Sequence, residues 1–344
     1  MTNYVTYIAV GGENKLLLFD TDGTTGELTL RTTVPLAGAP GPLAVDPSQH
    51  FLYIGLRSIK TVVSYQIDPT NGALTALGRP VALQADPCYL ATDKSGRWLL
   101  AASYSGGQAF VHPLNPDGTV GAEVTCSVHT EPCAHCIETD PSNRFTFLPH
   151  VADSNVIYQY HFDAATGQLT PNSPARIAPA PGVGPRHYVY HPTKPILYFS
   201  NEQEGSVTAY HLDPERGTLV SFQSLSTLPA GFVGENSCAQ IHIHPRGHLL
   251  YVSNRGHDSI AAYAIDDQTG LLTALWQQST EPTPRAFNFD PTGHFLYVTG
   301  QGSGQLTAYR VDQDNGALHK VARYPVGERP MWVLTLAFES SAQG

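Results

Sequence analysis

Residues 184–202 read GPRHYVYHPTKPILYFSNE. Two short runs rich in aromatic and apolar residues flank a His-Pro turn, so the stretch reads as strand, turn, strand. Arg186 leads into the first strand and Glu202 leads out of the second. An arginine and a glutamate therefore stand where two antiparallel strands end on the same side.

The same unit recurs along the chain. Strands ending in Asp-Pro or His-Pro appear as LAVDP at 43–47, CIETDP at 136–141, YVYHP at 188–192, IHIHP at 241–245 and FNFDP at 287–291, with YLATDK at 89–94 carrying Lys94 in place of proline. Successive landmarks lie 47, 47, 51, 53 and 46 residues apart. Each is followed by a turn and an aromatic-rich strand such as FLYIGL, LLYVSN or FLYVTG. A third strand such as VVSYQID or LTAYRVD comes next, then a Gly turn and a fourth strand, as in TNGALTAL, ATGQLTP, QTGLLTAL and DNGALHKV. Four antiparallel strands in about 45 residues is the pattern of a propeller blade.

Six full copies cover residues 40 to 321, and the chain ends supply a seventh: VTYIAV, KLLLFD and ELTLRTT read as strands two to four, and MWVLTLAF at 331–338 as a lone first strand. The expectation is an all-β, seven-bladed propeller, one domain over 1–344, whose shared blade closes the ring and leaves no open sheet edge. The composition agrees: 31 Gly, 27 Pro and 17 Tyr with 14% charged residues suit short strands and tight turns.

A formal net charge of −10 with no block of Lys or Arg argues against a nucleic-acid groove or an anionic membrane surface. The start MTNYVTYIAVGG has no signal-peptide pattern and no long apolar run follows, so a cytoplasmic protein is expected. Five cysteines, an odd number, fit reduced thiols. With no edge calling for a partner, a monomer is the default.

In a propeller the first strand is innermost, so its entry and the loop between strands two and three meet at one mouth of the central channel. Six residues before each landmark stand Gly41, Cys88, His135, Arg186, Ala239 and Arg285; ten after it stand Arg57, Tyr104, Val151, Glu202, Arg255 and Gln301. Four arginines fall in these twelve slots, although the chain has only 19 Lys plus Arg in 344 residues. Convergent arginines bind carboxylate or phosphate through planar, paired donors, and a histidine and a carboxylate beside them move protons near neutral pH. His150 and His257 lie in neighbouring loops and are candidates for the same wall.

Cys133, His135 and Cys136, with Cys126 and His129 upstream, superficially suggest a metal cluster. Cys136 begins a strand on this reading and points away from His135, so buried thiols are the better account and no metal is assigned. His242 and His244 share a strand face and are read as core histidines. GxSxG is absent, and the glycine-rich loops GGEN, YSGGQ and GQGSG open no helix, which removes dinucleotide and P-loop readings. No cofactor is called for.

At GPRHYVYHP, NE, SNRG, PRAFNFDPTGHFLYVTGQ and VGERPMW the sequence resembles the seven-bladed propeller lactonase family, whose members include bacterial 6-phosphogluconolactonases and fungal carboxy-cis,cis-muconate cyclases. The resemblance spans essentially the whole chain. It implies a catalytic set of His135, Arg186, Glu202 and Arg255, all of them among the slots the blade alignment picks out. IGLRSIKTVVSYQI, ASYSGGQAFV and PRAFNF resemble the bacterial branch, which adds Arg57 and Arg285 and favours a phosphorylated sugar lactone. Tyr104 and Gln301, from the aligned slots, and His150 and His257, from the neighbouring loops, complete the expected substrate-binding set. The expected partner is thus a small anionic lactone. Other aldonolactones, lactone formation from a muconate, and a non-catalytic propeller scaffold remain as alternatives.

Overall fold

The computed structural model describes residues 2–339, so both ends of the 1–344 range lie outside it. Seven four-stranded antiparallel sheets stand in a ring, each in simple up-and-down order. Blade 1 begins at Pro40–Val45, blade 2 at Tyr89–Thr92, blade 3 at Glu138–Thr139, blade 4 at Pro185–Tyr190, blade 5 at Ser237–Ile243 and blade 6 at Pro284–Phe289. Blade 7 takes its first strand, Pro330–Glu339, from one end of the chain and Thr2–Val10, Lys15–Thr21 and Leu28–Pro35 from the other. The first two pair antiparallel with Val5 opposite Leu336 and Tyr7 opposite Leu334. The seven-bladed propeller closed by a shared blade is the fold read from the sequence.

The landmark residue that matters is the one before the proline. Asp46 accepts the backbone N–H groups of Ser48 at 3.0 Å and Phe51 at 2.6 Å, and Asp140 and Asp290 repeat the pattern with Phe145 and Phe295, both at 2.7 Å. His191 and His244 do the same job through Nδ1, accepting from Thr193 and Arg246 at 3.2 Å. The side chain replaces backbone partners that the tight turn cannot supply. Asp93 does so as well, accepting from Ser95 at 3.1 Å, which is why Lys94 can replace the proline there.

Blades are fastened to one another through the glycine turn between strands three and four. Tyr7, Tyr198 and Tyr251 donate their hydroxyls to the carbonyls of Gly72, Gly270 and Gly316 in the next blade at 2.6, 2.7 and 2.7 Å, and Tyr297 reaches Gly26 at 3.2 Å across the shared blade. The hydroxyl gives a buried ring a polar anchor, while the ring fills the interface. At the blade 3 to blade 4 joint, Gly217 has φ +67° and a Cβ there would sit 2.0 Å from Cδ1 of Phe145. Gly217→Ala combines a left-handed alanine with overpacking, and should cost about 2–4 kcal/mol, read as a lower denaturant midpoint. An unchanged midpoint would mean the joint relaxes freely.

Two expectations fail. The strand of blade 3 starts at Glu138, not Cys136, because a bulge interrupts pairing between the isolated Ala134–His150 bridge and Glu138–Phe147. Ring closure does not remove sheet edges either: the fourth strand of each blade lies at the rim with one backbone edge unpaired. Those strands are largely exposed, as in Leu28–Pro35 and Leu318–Pro325, and polar residues and prolines blunt them.

Candidate active site

A recurring β-bulge brings the site together. In blade 4, Pro185 pairs with Asn201 and His187 with Ser200, so Arg186 is the extra residue. In blade 6, Arg285 is extra between the pairs Pro284–Gly300 and Ala286–Thr299. Blade 5 bulges at Ala239 and Gln240, blade 1 at Gly41 and Pro42, and the shared blade at Met331, between Ala9–Trp332 and Val10–Pro330. A bulge re-aims the side chain at the rim of a sheet. Of the slots six residues before the landmarks, Gly41, Arg186, Ala239 and Arg285 are these bulge positions, and Gly41, Cys88, His135, Arg186 and Arg285 line the pocket.

Gly41, Pro42, Arg57, Cys88, His135, Arg186, His187, Gln240, Arg285, Met331 and Trp332 enclose a pocket that narrows to ≈ 10 Å³, about one water. A recess of ≈ 340 Å³ shares Arg57 and Met331 with it and adds Asp86 and Arg329, a size suited to a small metabolite. Glu202 and Arg255 stand on the wall of a further ≈ 620 Å³ recess.

Arg186, 1% exposed, donates through Nε to Oε2 of Glu202 at 2.7 Å, and Nη2 of Arg255 lies 3.2 Å from the same oxygen. Arg255 is further held by the carbonyls of Ser237 at 3.3 Å and Cys238 at 2.9 Å. Arg57 pairs with Asp86 at 2.9 Å, and Arg285 has no ion pair among the described residues. Nη1 of Arg186 and Nε of Arg57 are buried without a hydrogen-bond partner. Unmade buried donors are costly, so their presence on one pocket marks a place for an acceptor from outside the chain.

Four guanidinium groups here face two carboxylates, leaving a cationic centre in a protein of net charge −10. Burial, then repulsion from Arg255, pushes Arg186 down to about 10 despite the opposing pull of Glu202. Burial and then Arg186, Arg255 and Arg57 likewise hold Arg285 well below the usual arginine range. An anion binding here would relieve that repulsion.

Nδ1 of His135 lies 3.2 Å from Nε2 of His187, both rings buried and on the pocket wall. Burial, followed by the charge of Arg186, drives both well below the normal histidine range, so both are neutral at pH 7. The ring of Tyr104 sits edge-on to His135 with centroids 5.8 Å apart, and its hydroxyl is pushed up to about 12 by its hydrogen bond with Cys133 and by burial.

The sequence-derived candidates separate into two groups. His135, Arg186, Arg57 and Arg285 share the inner pocket, Glu202 and Arg255 join it through Arg186, and Tyr104 borders His135. Gln301 stands at the rim, its Nε2 3.3 Å from Sδ of Met331. His257 turns to Phe232 and Ser259, with Nδ1 2.7 Å from the Ser259 hydroxyl. His150 does not reach the pocket: it is fully buried between blades, bonded to Thr130 at 2.8 Å and the Leu148 carbonyl at 3.0 Å. It occupies the slot before Val151, equivalent to Asn201 and Asn254, and strand alternation turns that slot away from the channel.

His242 and His244 share a strand face, as expected, and pack edge-on to Phe287 and Phe289 of blade 6 with ring centroids 4.8 and 5.3 Å apart. His242 meets Gln240 at 3.3 Å, whereas His244 bonds the Gly293 carbonyl at 2.9 Å in the next blade. Cys136 packs in the core. His187, Gln240, Asp86, Met331 and Trp332 were not picked out from the sequence. Met331 fills the slot in the seventh copy, which extending the offset would have found, whereas His187, Gln240 and Trp332 each follow a slot residue and reach the pocket only because of the bulge.

A propeller whose channel mouth gathers arginines, a carboxylate and neutral histidines is a class of small-molecule enzyme scaffold. The family described as Lactonase, 7-bladed beta-propeller, matches residues 2–335, and the chain belongs to it, a family of lactone-hydrolysing enzymes. It is 37% identical over 318 residues to a 6-phosphogluconolactonase of Pectobacterium carotovorum, covering 92% of this chain and 94% of that one. A 6-phosphogluconolactonase of Yersinia pestis is 36% identical over 328 residues, 95% and 96% of the two chains. The solved periplasmic gluconolactonase of Pseudomonas aeruginosa superposes with a TM-score of 0.90 at 25% identity, over 98% of this chain and all of that one.

Proposed function

We propose that the chain hydrolyses 6-phospho-D-glucono-1,5-lactone to 6-phosphogluconate, with the sugar phosphate and the lactone carbonyl held by the arginine cluster. The observation that carries this is the pair of unpartnered buried donors, Arg186 Nη1 and Arg57 Nε, on one pocket. Arg57 and Arg285 hold the phosphate, and Arg186 and Arg255 face the carbonyl oxygen as it becomes an oxyanion. Tyr104 and Gln301 border the bound sugar, with His257 farther out.

Water adds to the lactone carbonyl carbon and gives a proton to a base at the site, for which His135 and Glu202 are the two candidates. The tetrahedral intermediate collapses with cleavage of the ring C–O bond, and the ring oxygen takes that proton to become the C5 hydroxyl. The carboxylic acid then loses its proton to solvent. Burial is the first cause of the depression of His135, and a dianionic phosphate among the arginines offsets the part that comes from Arg186 and Arg285.

The 36–37% identical relatives named 6-phosphogluconolactonase support the substrate. The test is the hydrolysis rate above spontaneous background for the phosphorylated and free lactones. Arg57→Gln should raise KM for the phosphorylated lactone by about 10-fold or more, since a buried, charge-assisted contact is worth ~1.5–3 kcal/mol, and leave the free lactone little changed. Equal losses on both would remove Arg57 from the phosphate. A monomer is proposed as the active form. Five free cysteines, four of them buried, support the cytoplasm as its location. Among the described residues no helix is long and apolar enough to cross a membrane.

A further inference from the structure

Two neutral imidazoles in contact cannot both donate. Between Nδ1 of His135 and Nε2 of His187, 3.2 Å apart, one nitrogen carries the proton and the other supplies a lone pair. The choice decides what His135 can do. If His187 donates, Nδ1 of His135 is occupied and its Nε2 bears hydrogen, leaving no lone pair for a base. If His135 donates from Nδ1, its Nε2, which has no protein partner among the described residues, keeps a free lone pair.

His187 is itself fixed from several sides. Tyr89 packs edge-on to it with centroids 5.1 Å apart, and Trp332 packs at 6.2 Å. The charged and titratable groups bearing on the ring are Arg186, Arg285, His242 and Arg255, and with burial they disfavour its protonated form. A ring kept neutral offers a lone pair without adding charge. A carboxylate in this place would orient His135 equally well but would cancel part of the cationic field that an anionic substrate needs.

Resting on the lactonase reading above, we infer that His187 is a positioning residue, accepting the Nδ1 proton of His135 so that the Nε2 lone pair of His135 faces the substrate as the general base. The proton removed from water then resides on His135 Nε2 and returns to the leaving ring oxygen, while the Nδ1–H···Nε2 bond to His187 persists throughout. Glu202, whose Oε2 is engaged by Arg186 and Arg255, is on this account an organiser of the arginines.

The test compares His187→Gln, whose side-chain carbonyl can still accept from Nδ1, with His187→Phe, which fills similar space but cannot. The expected result is a kcat loss of about 10²-fold or more for His187→Phe with KM within a few-fold, and recovery of at least a tenth of wild-type kcat in His187→Gln. Melting temperatures of both variants separate misfolding from mispositioning. Nitrogen-15 NMR of the imidazoles should show His135 as the Nδ1–H tautomer in wild type, a readout independent of turnover. Equal kcat in the two variants, a KM effect alone, or an Nε2–H tautomer at His135 would overturn the inference. A fully active His135→Ala would instead overturn the underlying assignment of His135.

Discussion

An Arg186→Met enzyme should hydrolyse 6-phosphogluconolactone with kcat/KM lowered by ~10³-fold or more, the largest loss anticipated at any single position. A missing oxyanion donor costs ~10²–10³ in rate, and the same side chain also holds Glu202 in place. Arg186→Lys should recover little, because one ammonium cannot bond Glu202 through Nε geometry and also present a second donor to the pocket. Arg176→Gln is the control: that arginine pairs with Glu131 on the outer surface, and its loss should leave turnover unchanged. Wild-type turnover in Arg186→Met would remove the arginine cluster from the chemistry.

Lowering the pH from 7.5 to 5 should destabilise the fold by at least about 4 kcal/mol, seen as a falling urea midpoint. His150 and His242 are pushed down to about 4 by burial. The unfolded chain takes up their protons near pH 6.5 while the folded chain does not, so stability present above 6.5 is lost as pH falls toward 4. At pH 5 each contributes a loss of about 2 kcal/mol, and His135 and His187 shift in the same direction. Exposed turn aspartates such as Asp22 and Asp68 have lowered values and begin to lose their contribution only further into acid. A midpoint that does not move between pH 7.5 and 5 would contradict this account, since total stabilities of about 5–15 kcal/mol make such a loss conspicuous.

The fold was legible because the aspartate or histidine that organises the turn after the first strand also marks the blade, so one local need recurs at nearly constant spacing. The arginines were legible for the same reason: Arg186 and Arg285 stand at bulges a fixed distance before that turn, and Arg57 and Arg255 a fixed distance after it. His187 was not, because it reads as one more strand residue in PRHYVYHP, and only the bulge at Arg186 shows why adjacent residues both reach the pocket. His150 misled in the opposite sense, since its place in the chain suggested the mouth while alternation buried it between blades. Asp86 lies on the entry to blade 2, two residues before Cys88, and its pairing with Arg57 in blade 1 crosses a blade boundary that no periodicity reports.

The strand Pro330–Glu339 is the innermost of its blade, yet its pairing partner Thr2–Val10 leaves the ribosome first. At about 5–20 residues per second, the two emerge roughly 15–65 s apart. For that interval Val5, Tyr7 and Ala9, fully buried in the finished ring, belong to a sheet that lacks its innermost strand. The nascent chain must therefore keep an apolar, pairing-competent strand away from other chains throughout its synthesis, and its yield in the cell should respond to holding chaperones far more than its equilibrium stability would suggest.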